Sequence, residues 1–274
     1  MTEAIDRYQA YKTWVNTPNA EPPEVSIVIP AYNEEIRILP TIGAIATHMS
    51  ARGRPWELIV ADDGSTDTTV RLVEDLQFAN LVLLRAPANA GKGDAVRRGM
   101  LAAKGKLVLF ADADQSTPIE QFEALEAKIA EGYDVAVGSR KAAGATVRHK
   151  SVLRRVLSWG LHSLVSLLFG IKVLDTQCGF KLFTGAAAAE LFSQQKIDGF
   201  SFDLEVLYLA AKFDMRVAEV PVEWIDAPGS TVSAIRVSLA FLGDLVKIKV
   251  RDLCGDYPQS RSGDSSESRK AHTS

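Results

Sequence analysis

Residues 108–120 read V-L-F-A-D-A-D-Q-S-T-P-I-E. An apolar run suited to a buried strand ends in two aspartates, Asp112 and Asp114. Side chains two apart on a strand leave the same face. Two carboxylates that close raise each other's pKa unless a cation sits between them. A helix signal follows at once: Thr117 as N-cap, Pro118 in the first position and Glu120 completing a capping box. Ile119, Phe122, Leu125 and Ile129 then share one face. The pair therefore sits at the carboxyl end of a strand, the edge where open α/β sheets bind ligands. A hard divalent cation holding phosphate oxygens fits it. A calcium loop would need a third acid and a glycine that this segment lacks.

Working outward, the same rhythm recurs. Strand patterns lie at 25–30, 57–62, 81–85, 106–111, 133–138 and 216–222. Helical patterns lie near 35–50, 67–77, 92–103 and 117–131, and the second half adds candidates at 151–169, 201–213 and 231–252. Strands alternating with helices predict an α/β fold, a mostly parallel central sheet flanked by helices on both faces. Residues 1–23 read as an N-terminal arm ending in Glu-Pro-Pro. The serine-rich stretch 256–274 reads as a disordered tail.

With 274 residues, 47% apolar and 24% charged, the chain has an ordinary globular composition. A net charge of -3 gives no pull toward nucleic acid. Two cysteines, Cys178 and Cys254, do not make a disulfide framework and suit a reducing compartment. The polar N-terminus does not read as a signal peptide, and neither end carries an apolar run long enough for an anchor.

Every segment rich in chemistry follows a strand. P-A-Y-N-E-E spans Pro30 to Glu35, A-D-D-G-S-T-D spans Ala61 to Asp67, and N-A-G-K-G-D-A-V-R-R-G spans Asn89 to Gly99. Acids, an amide, Lys92 and permissive glycines thus gather at one sheet edge. A nucleotide-sugar needs this mixture: a carboxylate for the base, backbone groups and lysine for phosphate, and D-x-D for a metal on the diphosphate. No G-x-G-x-x-G or P-loop is present, which disfavours dinucleotide and P-loop chemistry. His48, His149, His162 and His272 are scattered, and no zinc spacing occurs.

Residues 135–174 contain no acid but carry Arg140, Lys141, Arg148, Lys150, Arg154, Arg155 and Lys172. Within them Leu153, Val156, Leu157, Leu161, Leu164, Val165 and Leu168 follow helical spacing. Arginine forks beside an apolar stripe suit a phosphate carried on a long lipid.

P-A-Y-N-E-E, V-A-D-D-G-S-T-D, N-A-G-K-G-D-A-V-R-R-G, D-A-D, G-S-R and D-T-Q-C-G-F-K-L-F resemble, in order and spacing, the family 2 inverting glycosyltransferases of GT-A (Rossmann-like) fold. Among these the chain resembles the polyprenyl-phosphate or dolichyl-phosphate sugar synthases. D-T-Q-C-G-F-K-L-F is most similar to the dolichyl-phosphate β-glucosyltransferase branch. The resemblance covers about residues 24–225, which it makes the catalytic domain, followed by an amphipathic helix at 226–255. It implies that Pro30, Tyr32 and Glu34 border the donor nucleotide, that Val60 and Asp62 contact base and ribose, and that Lys92 lies near the diphosphate. Asp112 and Asp114, with the Ala113 backbone, would hold Mg²⁺ or Mn²⁺ and the donor. Arg140, Arg154 and Ser158 would clamp the acceptor phosphate, and Asp175 would be the base or positioning acid, with Asp203 a further candidate. The sequence departs from the mannose-phosphate synthases at Ser116, where these often have a glutamine and Gln115 comes one residue early, and from the family at Thr231, where a lysine often follows Gly-Ser.

The expected reaction is transfer of a hexose, UDP-glucose being the favoured donor, to polyprenyl phosphate with inversion. UDP-N-acetylgalactosamine, GDP-mannose and a soluble acceptor are the alternatives. The expected setting is peripheral, on the cytoplasmic face of a membrane, with a membrane protein or a second copy as a further partner.

Overall fold

The computed structural model describes residues 2–148, 169, 171, 173–225 and 234–258. Seven strands form one sheet: β1 (Val25–Ala31), β2 (Trp56–Asp62), β3 (Leu81–Arg85), β4 (Leu107–Ala111), β5 (Val135–Ser139), β7 (Phe180–Thr184) and β8 (Val217–Pro221). Their order is β3-β2-β1-β4-β7-β5-β8. The pairs β1–β2, β2–β3, β1–β4 and β5–β8 are parallel, whereas β7 runs antiparallel between β4 and β5. A two-stranded parallel sheet pairs β6 (Thr146–Arg148) with β9 (Glu223–Ile225). The expected α/β architecture and mostly parallel sheet are present. The sequence signals the antiparallel strand only through the motif G-F-K-L-F.

Alternation along the strands assigns the two cores. Ile27 and Ile29 of β1 belong with Leu58, Val60 and Leu109 under α2 (Ile38–Ser50) and α5 (Phe122–Ala130). Val28, Ile59, Val108, Phe110 and Phe183 belong to the opposite core. That core is covered by α4 (Lys92–Ala102), α6 (Gly185–Gln194), α7 (Phe202–Lys212) and the C-terminal helix α8 (Ala234–Leu253). α3 (Thr69–Glu74) is a short connector. Both sheet faces are covered, which is why the central strands are mostly apolar on both faces, with a few buried polar side chains such as Ser26 and Lys181 among them.

Two expectations differ locally. The residues read as an arm form helix α1 (Thr2–Asn16). Trp14 near its end is buried and stacks on Trp56 with ring centroids 4.0 Å apart and planes 6° from parallel. Its Nε1 donates to the Trp56 carbonyl at 3.0 Å, and Asn80 donates to the Trp14 carbonyl at 2.8 Å. Tyr11, Trp14 and Val15 share one helical face and supply the apolar contact that a polar-looking segment lacks on average. The capping box at 117–120 does not form. Pro118 is itself the N-cap of a 3-10 turn, Ile119–Gln121, that leads into α5, and no side chain caps it. The preceding loop is already held by Asp114 Oδ1, which accepts the Ser116 N–H at 2.9 Å.

Trp14→Ala should therefore act on stability. Truncating a buried tryptophan costs about 3–5 kcal/mol. Urea unfolding should show a lower midpoint with an unchanged native circular dichroism spectrum; an unchanged midpoint would mean that α1 contributes nothing to the folded domain.

Candidate active site

The loops after β1, β2 and β3 are laced to one another before any ligand is considered. Asn33, held at φ 55°, accepts the Thr66 N–H on Oδ1 at 2.9 Å, and Ser65 Oγ accepts the Asn33 N–H at 2.9 Å. Asp62 is buried, and its carboxylate accepts the N–H groups of Gly64 at 3.0 Å and Ser65 at 3.2 Å. Asp63, which the sequence reading passed over, ties this loop to the next. It accepts from Asn89 Nδ2 at 2.8 Å, Ala90 N at 2.9 Å and Gly91 N at 3.0 Å. Gly64 is required by this closeness: at φ 75°, a Cβ there would lie 2.5 Å from the Ala88 carbonyl carbon.

The first turn of α4 is sealed in a similar way. Gly93 and Asp94 donate their N–H groups to the Asp198 carbonyl at 2.7 and 3.2 Å. These amides, which the sequence had offered to phosphate, are engaged by the chain itself. Lys92 is the group of this turn that reaches the sheet edge.

Asp112 and Asp114 both line a cleft of about 140 Å³ beyond the tip of β4, together with Ser116, Thr117, Arg140, Gln177, Gly179 and Trp224. The loop is pinned from two sides. Asp112 N donates to the Gly179 carbonyl at 3.0 Å, and Thr41 Oγ1 donates to the Ala113 carbonyl at 2.6 Å. Gly179 must be glycine for Asp112 to stand where it does, because a Cβ there would lie 1.9 Å from Asp112 Oδ2. Asp112 Oδ1 is buried and is met by Lys92 Nζ at 2.6 Å as an ion-pair partner. A hard, oxygen-seeking cation suits two carboxylates at one cleft. Among the described residues no group of three or more His, Cys, Asp and Glu is placed to hold a metal. The Asp112–Asp114 pair is thus the candidate pair, and Ser116 lines the same cleft.

Behind this edge lies a second layer of charge. Lys181 on β7 is almost fully buried and pairs with Asp203 at the start of α7, while its Nζ also donates to the Cys178 carbonyl at 2.6 Å. Lys92 and Lys181 approach the Phe110 ring to 5.5 and 5.6 Å. Burial works against the Lys92 charge, but the carboxylates of Asp112 and Asp203 outweigh it and hold its pKa above the ordinary lysine value. Burial pushes the Asp203 pKa up against the pull of Lys181 and Lys92. Asp203 therefore stands beneath the cleft and is absent from its lining. A lysine inside the apolar strand F-K-L-F was the available sequence signal for this layer.

Arg140 and Asp175, expected in different roles, meet each other. Arg140 Nε and Nη2 donate to the two Asp175 oxygens at 2.7 and 2.8 Å, and the Arg140 backbone N–H adds a third bond at 3.0 Å. Burial alone would raise the Asp175 pKa, but these bonds and the Arg140 charge bring it down to about 2. The guanidinium stands 5.7 Å from the Trp224 ring centroid. Glu219 holds the Asp175 loop by accepting the Leu174 and Asp175 N–H groups at 3.0 and 3.1 Å. Burial pushes the neighbouring Cys178 thiol up to about 11, which leaves it inert. Arg154 and Ser158, and with them the helix expected at 151–169, fall almost wholly outside the described residues.

The remaining donor candidates divide by exposure. Pro30 and Val60 are buried within β1 and β2, whereas Tyr32 is 45% exposed at the edge. Glu34 is partly buried and accepts from Arg37 Nε at 2.6 Å. Burial raises its pKa, and the nearby Asp114 and Asp112 charges add to that against Arg37.

The laced parallel-sheet edge thus carries an acidic pair, a lysine and an arginine close together. The sequence matches the family described as Glycosyl transferase family 2 over residues 26–192, and the chain belongs to that family. It is similar to a dolichyl-phosphate beta-glucosyltransferase of Dictyostelium discoideum, with 36% identity over 84% of this chain and 75% of that one. A protein of the same description from Trichomonas vaginalis is 40% identical over 82% of this chain and 70% of its own. The human one is 33% identical over 85% and 77%. Among solved structures, glucosyl-3-phosphoglycerate synthase from Mycobacterium tuberculosis, in complex with Mn²⁺, UDP-glucose and phosphoglyceric acid, superposes with a TM-score of 0.62. It is 20% identical and covers 91% of this chain and 84% of that one. The fold is the GT-A fold that the motifs implied.

The Arg140–Asp175 pair generates a pH prediction. The Asp175 pKa is lower in the folded chain, at about 2, than its ordinary 3.8. The stability it contributes is complete above the ordinary value and is lost as pH falls through the folded one. For a carboxylate this buried the contribution is on the order of 2 kcal/mol. Thermal melts taken between about pH 5 and pH 2 should fall more steeply for the native chain than for Asp175→Asn. Parallel curves would remove the pair from the acid response.

Proposed function

We propose that this chain transfers glucose from UDP-glucose to a polyprenyl (dolichyl) phosphate with inversion, giving a β-linked lipid phosphate sugar. The observation that carries the reading is the cleft where Asp112 and Asp114 face Arg140, with Lys92 beside Asp112. It offers one place for a metal-bound diphosphate and one for a second phosphate. The relatives, which match over more than four-fifths of this chain, are named for glucosyl transfer to dolichyl phosphate.

The chemistry follows from the nucleophile. A phosphate monoester has its second pKa near ~6, so its oxygen is largely deprotonated at neutral pH. That oxygen forms the new bond to the anomeric carbon, and the bond from that carbon to the UDP oxygen breaks with its electron pair. No proton transfer is required. The protein's tasks are alignment and neutralisation of charge. Asp112 and Asp114 would hold Mg²⁺ or Mn²⁺, which when bound supplies positive charge to the diphosphate. Lys92 adds a second positive group on the same side. Tyr32 and Glu34 border the nucleotide, with Pro30, Val60 and the Asp62 turn shaping the floor beneath it. Arg140 receives the acceptor phosphate, with Arg154 and Ser158 as its expected companions. With a pKa of about 2 and three N–H groups of Arg140 on its oxygens, Asp175 is a poor proton acceptor at neutral pH. Its role is to fix Arg140.

No described helix is long and apolar enough to cross a membrane. Helix α8 does expose Val246, Val250 and Leu253, spaced for one face, beside Lys247. This face suits peripheral contact with a lipid surface that carries the acceptor. The free cysteines Cys178 and Cys254 suit the cytoplasmic side.

The purified chain should glucosylate polyprenyl phosphate from UDP-glucose, and EDTA should stop it. Asp114→Asn should lower turnover by about 10²–10³-fold without unfolding the chain. Gly179→Ala should displace the Asp112 carboxylate and weaken metal affinity by about 10–100-fold. Arg140→Ala should raise the acceptor KM by roughly 10–100-fold, the equivalent of one charge-assisted hydrogen bond, with the donor KM little changed. Full activity in excess EDTA, or use of GDP-mannose in preference to UDP-glucose, would overturn the reading.

A further inference from the structure

Lys92 is placed by a segment that lies outside the cleft. It is the first residue of α4, and the glycines on either side of it have no room for a side chain. A Cβ at Gly91 would lie 2.3 Å from the Asp198 carbonyl oxygen, and one at Gly93 would lie 2.5 Å from the Ile197 carbonyl oxygen. Residues 195–201 join α6 to α7 and also grip this turn by hydrogen bonds. The Asp198 carbonyl takes the N–H groups of Gly93 and Asp94. Gln195, itself buried, donates from Nε2 to the Gly93 carbonyl at 2.9 Å and to the Ile197 carbonyl at 2.8 Å. The segment is held in its turn by Glu205, a fully buried acid in the first turn of α7. The Glu205 carboxylate accepts the N–H groups of Lys196 at 3.0 Å and Ile197 at 2.7 Å. Tyr257, buried just beyond the end of α8, donates its hydroxyl to the same carboxylate.

We infer that Glu205 is a positioning residue for the nucleoside-diphosphate donor: it holds residues 196–198, these hold the first turn of α4, and that turn aims Lys92 at the sheet edge. The inference rests on the reading of Lys92 as a donor-phosphate group and extends it to a residue that touches no substrate. A buried carboxylate is costly to desolvate, and an apolar side chain of similar size would fill the same space at less cost. What the carboxylate adds is a hold on two backbone N–H groups of a loop. Without that hold the Ile197 and Asp198 carbonyls, and with them the Gly93 and Asp94 N–H groups, lose their fixed places. A misplacement of about 1 Å caused far from the chemistry is enough to cost on the order of 10²-fold in rate. Tyr257 makes the C-terminal end of the chain beyond α8 part of the same brace.

A double-mutant cycle tests this, with UDP binding to the full chain measured by calorimetry in saturating Mn²⁺. Lys92→Met should weaken UDP by about tenfold or more, the loss of one charge-assisted contact. Glu205→Leu should weaken UDP by about fivefold, yet change it by less than about twofold in the Lys92→Met background, where the contact is already gone. Glu205→Gln should stay within about twofold of the native chain. Its amide oxygen still accepts from Ile197, and its NH₂ group donates to the Tyr257 oxygen. In steady-state kinetics Glu205→Leu should raise the UDP-glucose KM and leave the polyprenyl-phosphate KM unchanged, a split that loss of packing alone does not produce. Circular dichroism shows which variants fold. Gln195→Leu cuts the direct tie to Gly93 and should act as Glu205→Leu does, so it closes the cycle if Glu205→Leu does not fold. If the folded variant binds UDP as the native chain does, or weakens it equally with and without Lys92, the inference is overturned and the donor role of Lys92 stands. If Lys92→Met binds UDP as tightly as the native chain, the donor role of Lys92 fails and the inference falls with it.

Discussion

Strand β7 runs against the strands on either side of it, and the chemistry at the sheet edge depends on that reversal. Its register sets Lys181 opposite Phe110 and Phe180 opposite Ala111. One step further the Asp112 N–H meets the Gly179 carbonyl. A parallel strand in this slot would deliver its beginning to the other end of the sheet. The antiparallel strand instead brings the segment Asp175–Gly179 to the carboxyl ends of the parallel strands, beside the acidic pair. Asp175, Gln177 and Gly179 reach the site by this route, and Asp175 brings Arg140 into its final position.

Charge is then balanced in layers. Asp112 meets Lys92, Asp203 meets Lys181, and Asp175 meets Arg140. Burying such pairs is not a cheap way to stabilise a fold, since desolvation of two ions offsets their attraction. What these pairs supply is position. Removing one partner leaves a buried, uncompensated charge, so each side chain is held to a narrow set of orientations. A site that handles two phosphate groups needs cations at defined places before the substrates arrive. It also needs carboxylates that stay ionised, and the low pKa of Asp175 meets that need.

The loops show the same economy with backbone groups. Asp62, Asp63 and Asn33 take N–H groups from the turns around them, and the Asp198 carbonyl caps α4. The strand tips therefore form one connected rim. Residues that looked in the sequence like ligands for a nucleotide are in part the mortar of that rim. Others line the cleft itself, Asp114, Arg140 and Trp224 among them.

The strand–helix rhythm, the two faces of each strand and the four chemistry-bearing loops were legible in the sequence by itself. Each is a local pattern: periodicity of 2 or 3.6, a turn residue, a motif directly after an apolar run. Trp14 was less legible, because a single buried tryptophan in a polar helix barely alters the average character of the segment. Only the tertiary structure decided that Lys92 meets Asp112, that Lys181 meets Asp203, and that Arg140 takes Asp175 for its partner across a separation of 35 residues. These contacts depend on which strand lies beside which and in what direction. Periodicity carries no information about that choice. It is settled when both faces of the sheet are buried at once, and the site's charges are paired only where that packing brings them together.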